Sequence, residues 1–201
     1  MEIDLLSLKP AERYKILASL VTPRPIAWVT TVDQAGRVNA APFSFFNVFG
    51  SNPPLVAFAP GNKEPGIPKD TARNIRQNRE FVIHLVPEDL TEAMVSTSAP
   101  LPEGVNELEA ANLTTTPSLR IAPPRITEAP IALECTEHQT MEIGANRLVI
   151  GIVQHIYVKD GILDPENYQL DSSNWAPIGR MASPSGYCRT SDLFEKSLND
   201  I

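Results

Sequence analysis

Nineteen prolines in 201 residues constrain this chain more than any other feature. Each proline fixes φ and removes a backbone donor, so long uninterrupted helices and central strand positions are closed to it. The prolines cluster at Pro23/Pro25, Pro53/Pro54, Pro65/Pro68, Pro100/Pro102 and Pro123/Pro124. These clusters read as corners of one compact structure of short strands and shaped loops, with no low-complexity linker and no internal repeat. The length suits a single domain spanning 1–201, large enough to bury a sizeable core.

Between the corners, the pattern is short strands with a few short helices. Residues Lys9 to Leu20 read as an opening helix, with Tyr14, Leu17 and Leu20 at helical spacing. Ile26 to Val32 is strand-like, the turn Asp33-Gln34-Ala35-Gly36 follows, and Arg37 to Phe43 returns as a hairpin partner. Pro42 is expected to loosen the pairing there. Phe43, Phe45, Phe46 and Phe49 then fall in an apolar loop. Further strands are expected at Leu55–Pro60, Glu80–Val86, Ile131–Thr136 and Leu148–Val158, with short helices after Pro68, from Glu88 to Thr97 and near Asn106–Asn112. In the last strand Leu148, Ile150, Ile152, Ile156 and Val158 share one parity, opposite to His155 and Tyr157. The tail from Asp164 is expected to be irregular. This pattern predicts a mainly β fold, an antiparallel barrel decorated by helices.

Composition narrows the partners. A net charge of -7 and a pI near 5.0 argue against nucleic acid as the main partner. No apolar run is long enough to cross a bilayer, and the acidic start Met1-Glu2-Ile3-Asp4 lacks a signal-peptide pattern, so the cytoplasm is the expected location. Three histidines and two distant cysteines form no metal motif, so no metal site is expected. Neither a Rossmann glycine fingerprint nor a P-loop is present.

The sharpest candidate site is Ile67-Pro68-Lys69-Asp70-Thr71-Ala72-Arg73-Asn74-Ile75. Pro68 stops what precedes it, and Asp70 is the expected N-cap of a helix running to about Asn78. A helix start offers free N–H groups and a partial positive charge. Lys69 adds a full charge and Thr71 a hydroxyl, which together suit a phosphate monoester. Taken alone, this segment is an ordinary capped surface helix; the rest of the chain points further. The hairpin offers Thr30, Thr31, Asn39, Ala40, Ala41, Pro42 and Ser44, with small residues that let a flat ring approach the backbone. The loop and helix start offer Asn62, Lys63, Lys69, Thr71 and Asn74, and the tail offers Arg180 and Tyr187. A flat heterocycle carrying a phosphate would use all three. No catalytic constellation emerges. His84 reads as structural, and His138 as an exposed residue just past a strand end. Glu134 and Cys135 lie on opposite faces of one strand. Such scarcity of acid–base groups fits chemistry carried by a cofactor.

The stretches Val21-Thr22-Pro23-Arg24-Pro25-Ile26-Ala27-Trp28-Val29-Thr30-Thr31, Asn39-Ala40-Ala41-Pro42-Phe43-Ser44-Phe45-Phe46 and Lys69-Asp70-Thr71-Ala72-Arg73-Asn74 together resemble the flavin reductase-like family of FMN-binding split-barrel proteins, which includes flavoredoxins. Ala129–Cys135, Val149–Val153, Pro177–Met181 and Tyr187 resemble its later strands and tail. The resemblance implies a six-stranded antiparallel split barrel of Greek-key type and a homodimer with FMN near the interface. It implies that Lys69 and Thr71 hold the phosphate with Asp70 capping the helix, and that Lys63 is a second phosphate contact. Asn74 stays with that group, while Thr30, Thr31, Asn39, Ala41, Pro42 and Ser44 would line the ring and ribityl chain. Arg180 and Tyr187 would close the site. The implied activity is an FMN-dependent oxidoreductase taking hydride from NADH or NADPH to flavin N5 and passing electrons on, with a monooxygenase among the implied partners. An electron carrier without NAD(P)H activity and a non-enzymatic flavin- or heme-binding barrel stand as alternatives.

Overall fold

The computed structural model describes residues 1–64, 66–99, 107–182 and 184–197. Of the features expected above, Pro65, Pro100, Pro102 and Asn106 lie outside the described residues. The helices are α1 (Pro10–Leu20), α2 (Asp70–Asn78), α3 (Thr91–Ser96) and α4 (Glu107–Ala110). The strands are β1 (Ala27–Val32), β2 (Val38–Phe43), β3 (Phe46–Ser51), β4 (Pro54–Phe58), β5 (Asn62–Glu64), β6 (Ile67–Pro68), β7 (Glu80–Leu85), β8 (Thr115–Thr116), β9 (Arg125–Ile126), β10 (Ile131–Ile143), β11 (Asn146–Val158), β12 (Ile178–Arg180) and β13 (Tyr187–Arg189). The expected mainly β class with short helices is what the chain adopts.

One antiparallel sheet dominates, in the order β2-β1-β7-β10-β11-β4-β3. It has seven strands where six were expected. The extra strand arises because the phenylalanine-rich stretch is not a loop: the chain bends at Ser44-Phe45 and continues as β3 along the opposite edge of the sheet. Three Cα steps from Phe43 to Phe46 reach at most about 11 Å, so the two edge strands must approach each other there. The sheet therefore curls into a split barrel whose β2 and β3 edges are not paired with each other, and Ala59 N–H donates to Phe45 O at 2.9 Å, extending the β3–β4 ladder to the bend.

Alternation sets what faces inward. On β1, Ala27 and Val29 enter the barrel core with Phe43, Phe46, Val56, Phe58, Ile75, Phe81, Ile83, Cys135 and Val149. Trp28 points the other way, into a second core with Ala40, Val86, Met94, Leu108, Ile126 and Ile178. The rings of Phe43, Phe58 and Phe81 pack in series at 5.3 and 5.5 Å between centroids. Each such buried ring contributes about 2–3 kcal/mol.

Four local expectations are corrected. Pairing does not loosen at Pro42, because the register runs unbroken from Val32↔Val38 to Ala27↔Phe43 and β2 is an edge strand, where a missing donor is tolerated. His138 lies inside β10, not past it, as the extra residue of a bulge between Glu137 and Gln139. A second shift between Glu134 and Cys135 leaves Gln154 as the extra residue on β11, so no single parity holds along that strand: Val149 and Val153 pack on the barrel core, with Leu148, Ile150 and Ile152 facing the other way. The tail is not wholly irregular, since β12 and β13 pair as a hairpin through Ile178↔Arg189 and Arg180↔Tyr187.

Candidate functional site

The start of α2 carries the first group of candidate site residues. Lys69, not Asp70, is its N-cap residue, with φ -63° and ψ 156°, and it makes no side-chain cap. Its carbonyl accepts the first helical bond, from Arg73 N–H at 3.0 Å. Asp70 stands in the first turn and acts as a counter-ion. Its carboxylate pairs with Lys63 and with Arg73 at 2.5 Å. The β5–β6 hairpin that carries Lys63 is tied down from the barrel by Arg147 Nη1, which donates to Asn62 Oδ1 at 2.5 Å. Lys69 forms no ion pair among the described residues; its Nζ lies 5.6 Å from the Phe43 ring centroid.

A polar relay joins this helix start to the hairpin of β1 and β2. Asn39 Nδ2 donates to Thr71 Oγ1 at 3.1 Å, and Asn74 Nδ2 donates to Thr31 Oγ1 at 3.1 Å. Thr71, Asn74 and Thr31 are all buried. Asn74 Oδ1 is buried without a hydrogen-bond partner among the described residues, an oxygen aligned with a cost unless a donor arrives. Glu107, at the start of α4, also faces this region. Burial pushes its carboxyl up, helped by Asp70, against the Ala40 backbone N–H and Lys63.

The second group gathers at the β2–β3 bend. Ala41, Pro42 and Ser44 are half-buried there. Ser44 Oγ faces Arg24 Nε at 3.4 Å. Arg24 and Arg180 exchange backbone hydrogen bonds of 3.0 and 2.8 Å, which brings the tail hairpin to the same end. The Arg180 guanidinium lies 4.7 Å from the Tyr187 ring centroid and donates to Pro184 O at 2.5 Å.

Among the residues expected from sequence, Lys63, Lys69, Thr71, Asn74, Asn39 and Thr31 thus meet at one end. Ala41, Pro42, Ser44, Arg180 and Tyr187 gather at the bend. Thr30 does not join them. Adjacent to Thr31 on a strand, it faces the opposite side, fully buried, and donates to Pro124 O at 2.7 Å. Arg24 is the residue that sequence reasoning passed over as a site component. Its signal was a cation held between two prolines.

Two buried titratable groups are held in their neutral forms. His84 is fully buried; its Nδ1 lies 2.8 Å from Trp28 O, and its Nε2 accepts from Ile126 N–H at 2.9 Å. Burial lowers its pKa to about 4, so the ring stays neutral. Burial and the nearby Glu134 push the Cys135 thiol up, away from the reactive thiolate. Glu134 accepts from Leu119 N–H and Arg120 N–H at 2.9 and 2.7 Å. A separate cleft of about 430 Å³ around Pro87, Glu128, Lys159 and Trp175 contains none of the expected residues.

The flavin reductase like domain model matches residues 19–176, a span that carries both the helix-start group and the bend. The chain belongs to the flavin reductase-like family. A relative from Deinococcus radiodurans without a functional name is 41% identical over 197 residues, 96% of this chain and 87% of that one. Among solved structures, nitrilotriacetate monooxygenase component B from Bacillus cereus superposes with a TM-score of 0.92 at 32% identity, covering 98% of each chain. The 2-nitrobenzoate 2-nitroreductase NbaA of Pseudomonas fluorescens gives 0.89 at 34% identity, over 98% of this chain and 96% of that one. No helix among the described residues is long and apolar enough to cross a membrane.

Proposed function

We propose that this family member is an FMN-dependent oxidoreductase of the NAD(P)H:flavin reductase type. The observation that carries the reading is the α2 start: Lys69 forms no ion pair among the described residues and stands beside first-turn amides, next to a buried Asn74 oxygen that lacks a donor. A phosphate monoester suits the cation and the amides, and a polyol hydroxyl suits the orphan oxygen. FMN carries both groups, so the residues present fit it. Lys69, Thr71 and Lys63 would hold the phosphate, Asn39, Thr31 and Asn74 the polyol, and Ala41, Pro42, Ser44, Arg180 and Tyr187 the ring end. Asp70 is a counter-ion in this scheme and not a cap.

When bound, FMN supplies the ring that takes up hydride from NADH or NADPH. The chain's own part is to bind, orient and shelter. The small residues of β2 leave room for a flat ring. Neutral His84 and the suppressed Cys135 thiol supply no competing acid, base or nucleophile.

The likeness to a monooxygenase component B supports supply of reduced flavin to a monooxygenase partner. The likeness to a nitroreductase supports direct reduction of a nitroaromatic instead. Exposed apolar side chains on α1 (Tyr14, Leu17, Leu20) and β3 (Val48, Phe49), linked through the Tyr14–Phe45 ring contact at 5.9 Å, support a homodimer, and the cytoplasm is the proposed location. Steady-state NAD(P)H oxidation, with added FMN and then with a nitroaromatic, tests the reading. Turnover with free FMN alone favours the reductase, and turnover only with the nitroaromatic favours the nitroreductase. FMN binding without turnover by either nucleotide favours an electron carrier.

A further inference from the structure

Arg24 is 6% exposed and belongs to no helix or strand, yet three separate parts of the chain converge on it. Its Nη1 donates to Ala18 O and Val21 O at 2.6 and 2.7 Å, which closes the end of α1. Its Nη2 donates to Met181 O in the tail at 3.0 Å. Its Nε faces Ser44 Oγ at the bend, at 3.4 Å. The guanidinium lies 5.7 Å from the Phe45 ring centroid.

No carboxylate pairs with Arg24 among the described residues. Burial, with Arg180 adding to it and Tyr14 opposing it, holds its guanidinium below the usual arginine range. A buried charge without a counter-ion is expensive unless its donors are met, and here carbonyls meet them. Fastening α1 alone would not call for such a group, because a lysine or an apolar side chain could pack there at lower cost. Only a rigid planar fork reaches α1, the bend and the tail from one point.

We infer that Arg24 is a positioning residue that couples the tail to the β2–β3 bend and so sets the ring end of the flavin site through Ser44 and Arg180. The inference rests on the flavin reading above and adds to it a division of labour: the α2 start governs the phosphate, and Arg24 governs the ring.

Riboflavin, which lacks the phosphate, separates the two. Dissociation constants for FMN and riboflavin are measured by flavin fluorescence on wild type and R24K, at a temperature where circular dichroism shows both folded. In R24K both constants rise together by about tenfold, the scale of one lost charge-assisted contact, and their ratio stays constant. Unchanged constants in a folded R24K with a lowered Tm would make Arg24 structural only and overturn the inference. A loss confined to FMN would overturn it as well. Should R24K not fold, F45L removes the ring beside the Arg24 guanidinium and no residue assigned to the flavin: both constants rising about threefold supports the coupling, and unchanged constants refute it. Wild-type protein that binds neither flavin refutes the flavin reading itself, a result distinct from wild type and R24K binding equally.

Discussion

Two lysines flank the α2 start, and their surroundings make them unequal. Lys63 is 52% exposed and already paired with Asp70. Lys69 is half-buried, lies against the Phe43 ring and forms no ion pair among the described residues. Replacing Lys69 with alanine removes the uncommitted unit charge of the seat. A charge-assisted contact to phosphate in a partly desolvated place is worth about 2 kcal/mol, which corresponds to about a 30-fold rise in the FMN dissociation constant. Lys63→Ala removes an exposed, already neutralised charge, worth about 0.5 kcal/mol, or about twofold. Fluorescence titrations of FMN and riboflavin with both variants at low and moderate salt measure the two effects. The riboflavin constants stay unchanged, and the Lys69 effect shrinks as salt screens the phosphate. Equal effects for the two lysines, a reversed order, or a loss shared by riboflavin would refute the reasoning.

Gly151 lies under the Phe81 ring, where an added Cβ would sit 2.5 Å from Cζ; with Phe81 fully buried, G151A costs about 1–3 kcal/mol by overpacking, read by urea denaturation. His84 is depressed to about 4 from 6.5, so its contribution to stability is complete above pH 6.5 and is lost as pH falls towards 4, by about 3 kcal/mol. Its ring proton NMR signals therefore show no titration between pH 8 and 5, and a midpoint near 6.5 would contradict its burial. Glu107, raised by burial and by Asp70 against the pull of Lys63, opposes a phosphate when ionised. E107Q accordingly tightens FMN about two- to threefold at pH 8, and the advantage over wild type fades as pH drops and the native carboxyl protonates. An E107Q effect that is independent of pH would refute this.

Much of the local structure around the candidate site was legible because its signals are local. The hairpin of β1 and β2 follows from β-branched residues around a turn whose Asp33 side chain accepts from Ala35 N–H and Arg37 N–H, with Gly36 at φ 78°. The α2 start follows from Pro68 and the residues after it. The one-residue error at its cap is of the size expected for helix ends. Strand β3 was hidden because four phenylalanines near a bend show no clean alternation; only burial of Phe43 and Phe46 with exposure of Phe45 and Phe49 reveals it. The outer half of β10 was truncated because residues such as Gln139 and Glu142 face solvent and look like loop. Bulges at His138 and Gln154 break the period on which parity arguments rest. Thr30 could have been separated from Thr31 by alternation alone. The partners of Arg24 were beyond reach, since Met181 lies 157 residues away along the chain.

The central claim is that the α2 start is a phosphate seat for FMN. The most direct measurement is a side-by-side titration of wild-type protein with FMN and riboflavin at the same salt. The account predicts that FMN binds at least about tenfold more tightly, with the gap narrowing as salt rises. Equal affinity for the two flavins, or binding of neither, would contradict it.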